Sequence, residues 1–496
     1  MEWTKEERYR ALEDVTVEEL TALEKIVNEC PWRQSYHIQP VTGLLNDPNG
    51  FSYYNGEYHL FYQWFPLGPV HGLKHWFHTK SKDLVHWENV GIAIKPTNQF
   101  DSHGVYSGSA IEHEGNLLLM YTGNTRDDYW ERHPYQCLAV MDRTGTITKL
   151  DKPIIDGVPK GYTDHFRDPK VWKQDDHFYA IIGAQKECGT GCVVLYQSSD
   201  MKEWSFQGEI ETRLKDFGYM WECPDYFELD GKGILLFSPQ GIAAEGDHFQ
   251  NIYQSGYVMG SPLDIDKQQL THGEFHELDR GFDFYAPQSM CDPKGRRIVV
   301  GWMGLPEIDY PTDKNGWAHC LTLPRELSIR GGKLYQQPVI ELESLRGEMI
   351  EAEITLKNEC ISIDGFTGDA YELLIEFSES NAQEFGIEVR VGHQEKTTIK
   401  YDAAEKMVIF DRTHSGQPVG MEFGEIRKCH LDGDIVSFRL FVDVSSVEVF
   451  VNNGEEVFTG RIFPHQDSRG IHFFANGGHT KLRAMKWNMA KKFNDL

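Results

Sequence analysis

Five stretches of this chain read alike when laid over one another: "NDPNGFSYYNGEYHLFYQ" from Asn46, "YSGSAIEHEGNLLLMYTG" from Tyr106, "RDPKVWKQDDHFYAIIG" from Arg167, "ECPDYFELDGKGILLFS" from Glu222 and "APQSMCDPKGRRIVVGW" from Ala286. Each runs from a small or charged polar start through a short strand to a turn signal, then into a second strand rich in aromatic and branched residues. That is the pattern of a hairpin. The turn follows the start by about nine residues each time, and successive starts lie about 55 to 65 residues apart. This spacing holds four strands and their loops. Repeats of blade size predict a five-bladed β-propeller, with the sheets set around a central channel.

The repeat also bears on "GLLNDPNGF", residues 43–51. By local propensity this string is a loop, because Pro fixes φ and Asn-Gly tolerates positive φ. Asp47, Asp168 and Glu222, however, fall at nearly equivalent positions at the starts of the inner strands of three different repeats. Pseudo-symmetry would carry all three to one end of the channel. A loop has no reason to keep that phase, whereas a site built on rigid strands around a concave axis does.

Outside the repeat the pattern changes. Residues 1–30 have Leu12, Val15, Leu20, Leu23, Ile26 and Val27 at helical spacing, with Thr16 and Glu19 as a capping box, and predict a small helical cap. The propeller is expected over 31–335, followed by a linker over 336–346 with helical spacing near Val339 to Leu345. Over 347–496, "DAYELLIEFSES", "EFGIEVRVG" and "DIVSFRLFVDVSSVEVFVNN" alternate apolar and polar residues between turns, which predicts a β-sandwich. The whole chain is expected to be all-β apart from the helical cap.

Charge and composition narrow the partners. A formal charge of −27 repels phosphate backbones and anionic lipid surfaces, so nucleic acid and membranes are not expected partners, and an anionic small molecule would need a local basic pocket. No segment approaches the roughly 20 apolar residues of a membrane helix. The first 30 residues carry charges where an export signal needs an apolar stretch, so a cytoplasmic location is expected. Nine scattered cysteines fit reduced thiols, and Cys188 and Cys192 in "ECGTGC" are expected to be small buried residues.

Paired carboxylates that flank a scissile bond are the machinery of glycoside hydrolysis. Calcium at the channel axis is the rival use of clustered Asp and Glu, but no short loop supplies the several oxygens such sites usually draw from one segment. His71, His75, His78 and His86 resemble a metal cluster by count, yet strand alternation and loops account for them. No metal and no cofactor is expected.

The motifs "NDPNG", "FYQWFP", "FDSHGVYSGSA", "FRDP", "WECPD", "GFDFYAPQ" and "TLPREL", in this order, resemble the β-fructofuranosidases of glycoside hydrolase family 32, the invertases and sucrose-6-phosphate hydrolases. "FVDVSSVEVFVNNGEEVFTGRIFP" resembles that family's β-sandwich, so nearly the whole chain is covered. The resemblance implies Asp47 as nucleophile, Glu222 as general acid and base, and Asp168 as a transition-state stabiliser that binds fructose hydroxyls. It implies a fructose pocket lined by Asn46, Gln63, Trp76, Tyr106, Ser107 and Tyr285, with ordinary packing as the other reading of Trp76. Arg167 is expected to moderate the field of the carboxylates and hold Asp168 ionised. Glu222 would have to keep its proton until attack, which two neighbouring carboxylates favour. Leu45 and Phe77 depart from the family's usual Met and Gly, and would alter the edge of the pocket.

The implied activity is retaining hydrolysis of the terminal β-fructofuranoside bond of sucrose 6-phosphate or sucrose through a fructosyl-enzyme, by a monomer or homodimer acting on a small sugar. Short fructo-oligosaccharides are the alternative substrate, and an inactive fructan-binding module the alternative from another class. A phosphate would need cationic donors, and Lys74 and Arg132 are placed near the site motifs.

Overall fold

The computed structural model describes residues 2–490. Each repeat is a four-stranded antiparallel sheet. The innermost strands are Gly43–Tyr54, Val105–His113, Tyr162–Gln174, Met220–Leu229 and Tyr285–Cys291, and each pairs with the next strand of its hairpin as the sequence predicts. The ring closes where Trp317–Ala318, beyond the second strand of the fifth blade, pairs in parallel with Gly43 and Leu44 of the first. Apolar side chains fill the spaces between blades. Phe166, Ile182 and Tyr196 of the third, for instance, pack with Met120 and Leu138 of the second.

At one height on all five innermost strands the hydrogen-bond register slips. The slips bracket Asn46 and Asp47, Tyr106 and Ser107, Asp168 and Pro169, Cys223 and Pro224, and Ala286 and Pro287. A bulge bends a strand and re-aims its side chains, and a proline there forfeits no ladder bond that the bulge has not already broken. Asp168, Cys223 and Ala286 are held at φ of 70°, 47° and 47°. Such left-handed backbone costs about 1–3 kcal/mol per residue and persists only where its surroundings impose it. The five bulges form a ring at one mouth of the channel.

The N-terminal segment holds two helices, α1 (Lys5–Arg8) and α2 (Val17–Asn28), each opened by a capping box, Thr4 with Glu7 and Thr16 with Glu19. The second box and its helix match the sequence expectation. Leu23 and Val27 of α2 pack with Trp317 where the ring closes. At Gly316 a Cβ would stand 2.6 Å from the Leu23 side chain, and its φ of 76° also favours glycine. α1 runs to the mouth of the channel, where the Arg8 carbonyl accepts from the Leu73 amide at 2.7 Å.

Ile340–Leu345 is a 3-10 helix, and the strands after it build the sandwich. Its longest-paired strand, Gly470–Met489, pairs through its first part with Glu384–Val391 and through its second with Tyr371–Ser380. It thereby links two layers closed over a core that includes Leu373, Ile387, Phe438, Val449 and Phe473. The sandwich meets the propeller through paired buried charges. Fully buried Arg325 donates to Asp279 at 3.0 Å and to Glu448 at 2.6 Å, and His37 lies between Asp443 at 2.8 Å and Glu448 at 2.9 Å. Buried charges persist when paired and hydrogen-bonded in this way, so the junction tolerates little sliding.

Candidate active site

The bulge ring opens into a cavity of about 190 Å³, lined by Asn46, Asp47, Gln63, Tyr106, Arg167, Asp168, Glu222 and Tyr285 among others. The three carboxylates therefore converge on one pocket.

Asp47 is held mainly through one oxygen. Its Oδ2 accepts from Ser107 Oγ at 2.5 Å, Gln63 Nε2 at 3.2 Å and the Cys223 thiol at 3.5 Å, while its Oδ1 receives only a long contact from Asn46 Nδ2 at 3.3 Å. Gln63 and Ser107 also bond each other. Burial raises the Asp47 carboxyl, the charge of Glu222 adds to the rise, and the bonds from Ser107 and Asn46 oppose it. Asp168 Oδ2 accepts from the backbone N–H of Cys223 at 3.0 Å and from its thiol at 3.6 Å. Burial drives this carboxyl up to about 7, against the pull of Arg167 and with reinforcement from Glu222 and Asp47.

Glu222 accepts from every side. Arg167 donates Nε at 2.9 Å and Nη2 at 2.6 Å to Oε1, while Tyr285 Oη at 2.6 Å and Gln240 Nε2 at 2.9 Å donate to Oε2. Arg167 thus moderates the field of the carboxylates through Glu222, as expected, but the other half of its expected role changes: its charge pulls the Asp168 carboxyl down, and burial outweighs that pull. Burial works against the charge on Arg167, yet Glu222 and Asp168 outweigh it.

The position equivalent to Asp47 and Asp168 in the fourth blade, counted back from the proline that follows each of them, is Cys223; Glu222 stands one residue earlier, level with Arg167 and Tyr285. Cys223 is thus a site residue that repeat reading missed, although aligning Pro48, Pro169, Pro224 and Pro287 reveals it. Burial, with Asp168 and Asp47 beside it, pushes its thiol well up, so it donates as S–H. Asp47, Asp168 and Cys223 place two oxygens and a sulfur within 4.8 Å of one another, the donor set in this pocket that could hold an ion. Calcium takes 6–8 oxygen ligands, and a thiol fits that set poorly.

Other expectations change. Trp76 is fully buried, donates to the Tyr106 carbonyl at 2.9 Å and does not line the cavity, so packing is its role. Leu45 and Phe77 are core residues rather than pocket edge. Cys192 is buried but Cys188 is exposed, because it sits at the tip of its hairpin. The four histidines do not converge: His75 faces the Leu73 carbonyl, His78 bonds His59, His86 bonds Asp83, and His71 borders the cavity. Lys74 lines the pocket and donates to Asn46 Oδ1 at 2.6 Å, its ammonium lowered to about 7 by burial. Tyr9, Gln240, Tyr253 and Glu307, which carried no sequence signal, also line the wall, as does Trp302 at the end of the fifth repeat.

Asp168 carries a pH signature. Its folded value lies above the ordinary carboxyl value, so between about pH 4 and pH 7 the folded chain binds more protons than the unfolded one, and stability falls as pH rises through that window. Asp168→Asn should narrow the difference between the melting temperatures at about pH 5 and about pH 8. An unchanged difference would place the titration elsewhere.

Among the described residues no helix is long and apolar enough to cross a membrane. Residues 37–338 match the glycosyl hydrolases family 32 N-terminal domain and residues 341–488 the family 32 C-terminal domain. A sucrose-6-phosphate hydrolase of Staphylococcus xylosus is 49% identical over 98% of this chain and 99% of its own. The structure of sucrose-6-phosphate hydrolase from Lactobacillus gasseri superposes with a TM-score of 0.93 at 38% identity, covering 99% of this chain and 100% of the other. A Bombyx mori β-fructofuranosidase solved in complex with sucrose gives 0.83 at 33% identity, covering 96% and 98%. Five blades, a bulge ring that gathers three carboxylates, and matches along nearly its whole length make the chain a member of glycosyl hydrolases family 32.

Proposed function

We propose that this protein is a retaining β-fructofuranosidase that hydrolyses sucrose 6-phosphate, and sucrose less well, with Asp47 as nucleophile, Glu222 as acid and base, and Asp168 as the group that binds fructose hydroxyls. Residues 31–335 carry the chemistry and the sandwich, expected over 347–496, braces them through residue 490, residues 491–496 lying outside the described residues. The observation that carries the reading is the division of labour around the carboxylates. Asp47 Oδ2 is occupied by Ser107, Gln63 and Cys223, which leaves Oδ1 to attack the anomeric C2 of fructose.

Attack forms the C2–Oδ1 bond as the C2–oxygen bond to the leaving glucose breaks, and Glu222, carrying a proton on Oε2 in place of the bond accepted there from Tyr285, delivers it to that oxygen. Arg167, Tyr285 and Gln240 fix the carboxyl of Glu222 in place for this transfer. Water, deprotonated by Glu222, then cleaves the fructosyl ester and retains configuration. Asp168, its carboxyl pushed up to about 7 by burial, carries its proton part of the time at neutral pH and can then both donate to and accept from sugar hydroxyls. Phosphorylating uptake makes sucrose 6-phosphate inside the cell, so the reading places the enzyme in the cytoplasm.

The test is kcat/KM on sucrose 6-phosphate against sucrose at matched concentrations. A preference of about tenfold or more, some 1.4 kcal/mol, supports the reading. Comparable rates would make this an invertase, and turnover of neither sugar would remove the activity.

A further inference from the structure

We infer that Arg132, with Arg126 beside it, is the subsite for the phosphate monoester of the substrate. This rests on the reading above and deepens it. The hairpin at the tip of the second blade sets Arg126 and Arg132 directly opposite each other across Asn116–Arg126 and Arg132–Met141. Like charges in that position repel and destabilise the pair. The chain carries 76 acidic residues against 49 Lys and Arg, yet neither guanidinium has a carboxylate at ion-pair distance among the described residues. The nearby carboxylate, Asp127, is spent on the turn: it accepts from the amides of Tyr129 and Glu131 at 2.9 Å and bonds His133 at 3.0 Å.

Arg126 has a partial outlet, donating to the Trp130 carbonyl at 3.0 Å. Arg132 has none. It lines the catalytic cavity, and its Nε is buried without a hydrogen-bond partner, as is that of Arg126. Burial and then the neighbouring Arg167 and Arg126 lower its affinity for a proton, with exposed Asp164 opposing from a distance. Both arginine side chains are half-buried, and a guanidinium with a buried, unpartnered Nε costs free energy in the empty protein that an arriving anion repays.

Position and chemistry select that anion. Arg132 adjoins Arg167, which holds Glu222, the group assigned to protonate the departing glucosyl oxygen, whereas Lys74 is already bonded to Asn46 beside Asp47. A phosphate monoester carries about −1.5 to −2 charges at neutral pH and matches the guanidinium fork. Tyr9, brought in by the N-terminal segment, reaches the same pair and offers a hydroxyl donor. The strongly negative remainder of the molecule explains why the anion needs this local patch.

The experiment measures kcat/KM on sucrose 6-phosphate and on sucrose for wild type, Arg132→Gln and Arg132→Lys, with inhibition by glucose 6-phosphate against glucose. The phosphate-to-sucrose ratio should fall at least tenfold in Arg132→Gln, through KM rather than kcat, and recover partly in Arg132→Lys. Inhibition by glucose 6-phosphate should weaken in parallel. A ratio that survives the substitution, or equal losses on both sugars, overturns the subsite while leaving the glycosidase intact. Wild type that cleaves sucrose with no preference for the phosphate overturns it as well, and wild type inactive on both removes the underlying reading along with it.

Discussion

Asp47→Asn will fold normally and lose turnover by about 10⁴-fold or more, because an amide cannot form the fructosyl ester. The fold is safe for a specific reason. Asn keeps the size and shape of Asp, and its carbonyl oxygen can take over the bonds from Ser107, Gln63 and Cys223. The substitution also removes a charge that burial and Glu222 both disfavour, so the melting temperature should equal or exceed that of wild type. What is lost is the oxygen facing the sugar, where the variant presents an NH₂. Mass spectrometry of enzyme quenched during turnover should find a fructosyl adduct on wild type and none on the variant. A variant rate within about tenfold of wild type would remove Asp47 from the bond-making step.

Much of this architecture was legible because its signals are local and repeated. Five hairpins, their turns and their aromatic second strands can be counted from the sequence, and the capping box at Thr16 marks α2 to the residue. The bulges were not legible. A register slip is a relation between two strands that neither strand's sequence displays, whereas the one-residue offset of Glu222 is readable from the prolines, which align Cys223 with Asp47 and Asp168. The sequence sets Arg167 beside Asp168 and among the carboxylates without saying which one it bonds; its side chain crosses to the next blade and takes Glu222. Helical periodicity in the first 30 residues predicts α2 but is silent on where the segment docks, and so on Tyr9 reaching the cavity. Trp76 shows the reverse error, since an aromatic residue near site motifs is as often packing as pocket.

Glu222→Gln should cost about 10²–10⁴ in kcat/KM on sugars with a poor leaving group and much less on an activated aryl β-fructofuranoside, whose phenolate departs without a proton. The difference between substrates is the readout that matters, because the substitution does more than remove a proton. Arg167, Tyr285 and Gln240 all donate to this side chain, and a glutamine turns an NH₂ toward one of them. Arg167 then loses its charged partner, and a general loosening of the pocket would slow both substrates alike. With the aryl substrate the first step stays fast while the second, which needs a base to activate water, is impaired; a burst of released phenol should precede slow steady turnover. Azide, an anion that needs no deprotonation, should then restore the steady rate by capturing the fructosyl group. Equal losses on both substrates, with no burst and no rescue by azide, would assign Glu222 to positioning Arg167 and leave the acid to be found elsewhere, with Asp168 and its proton held near neutrality as the first group to test.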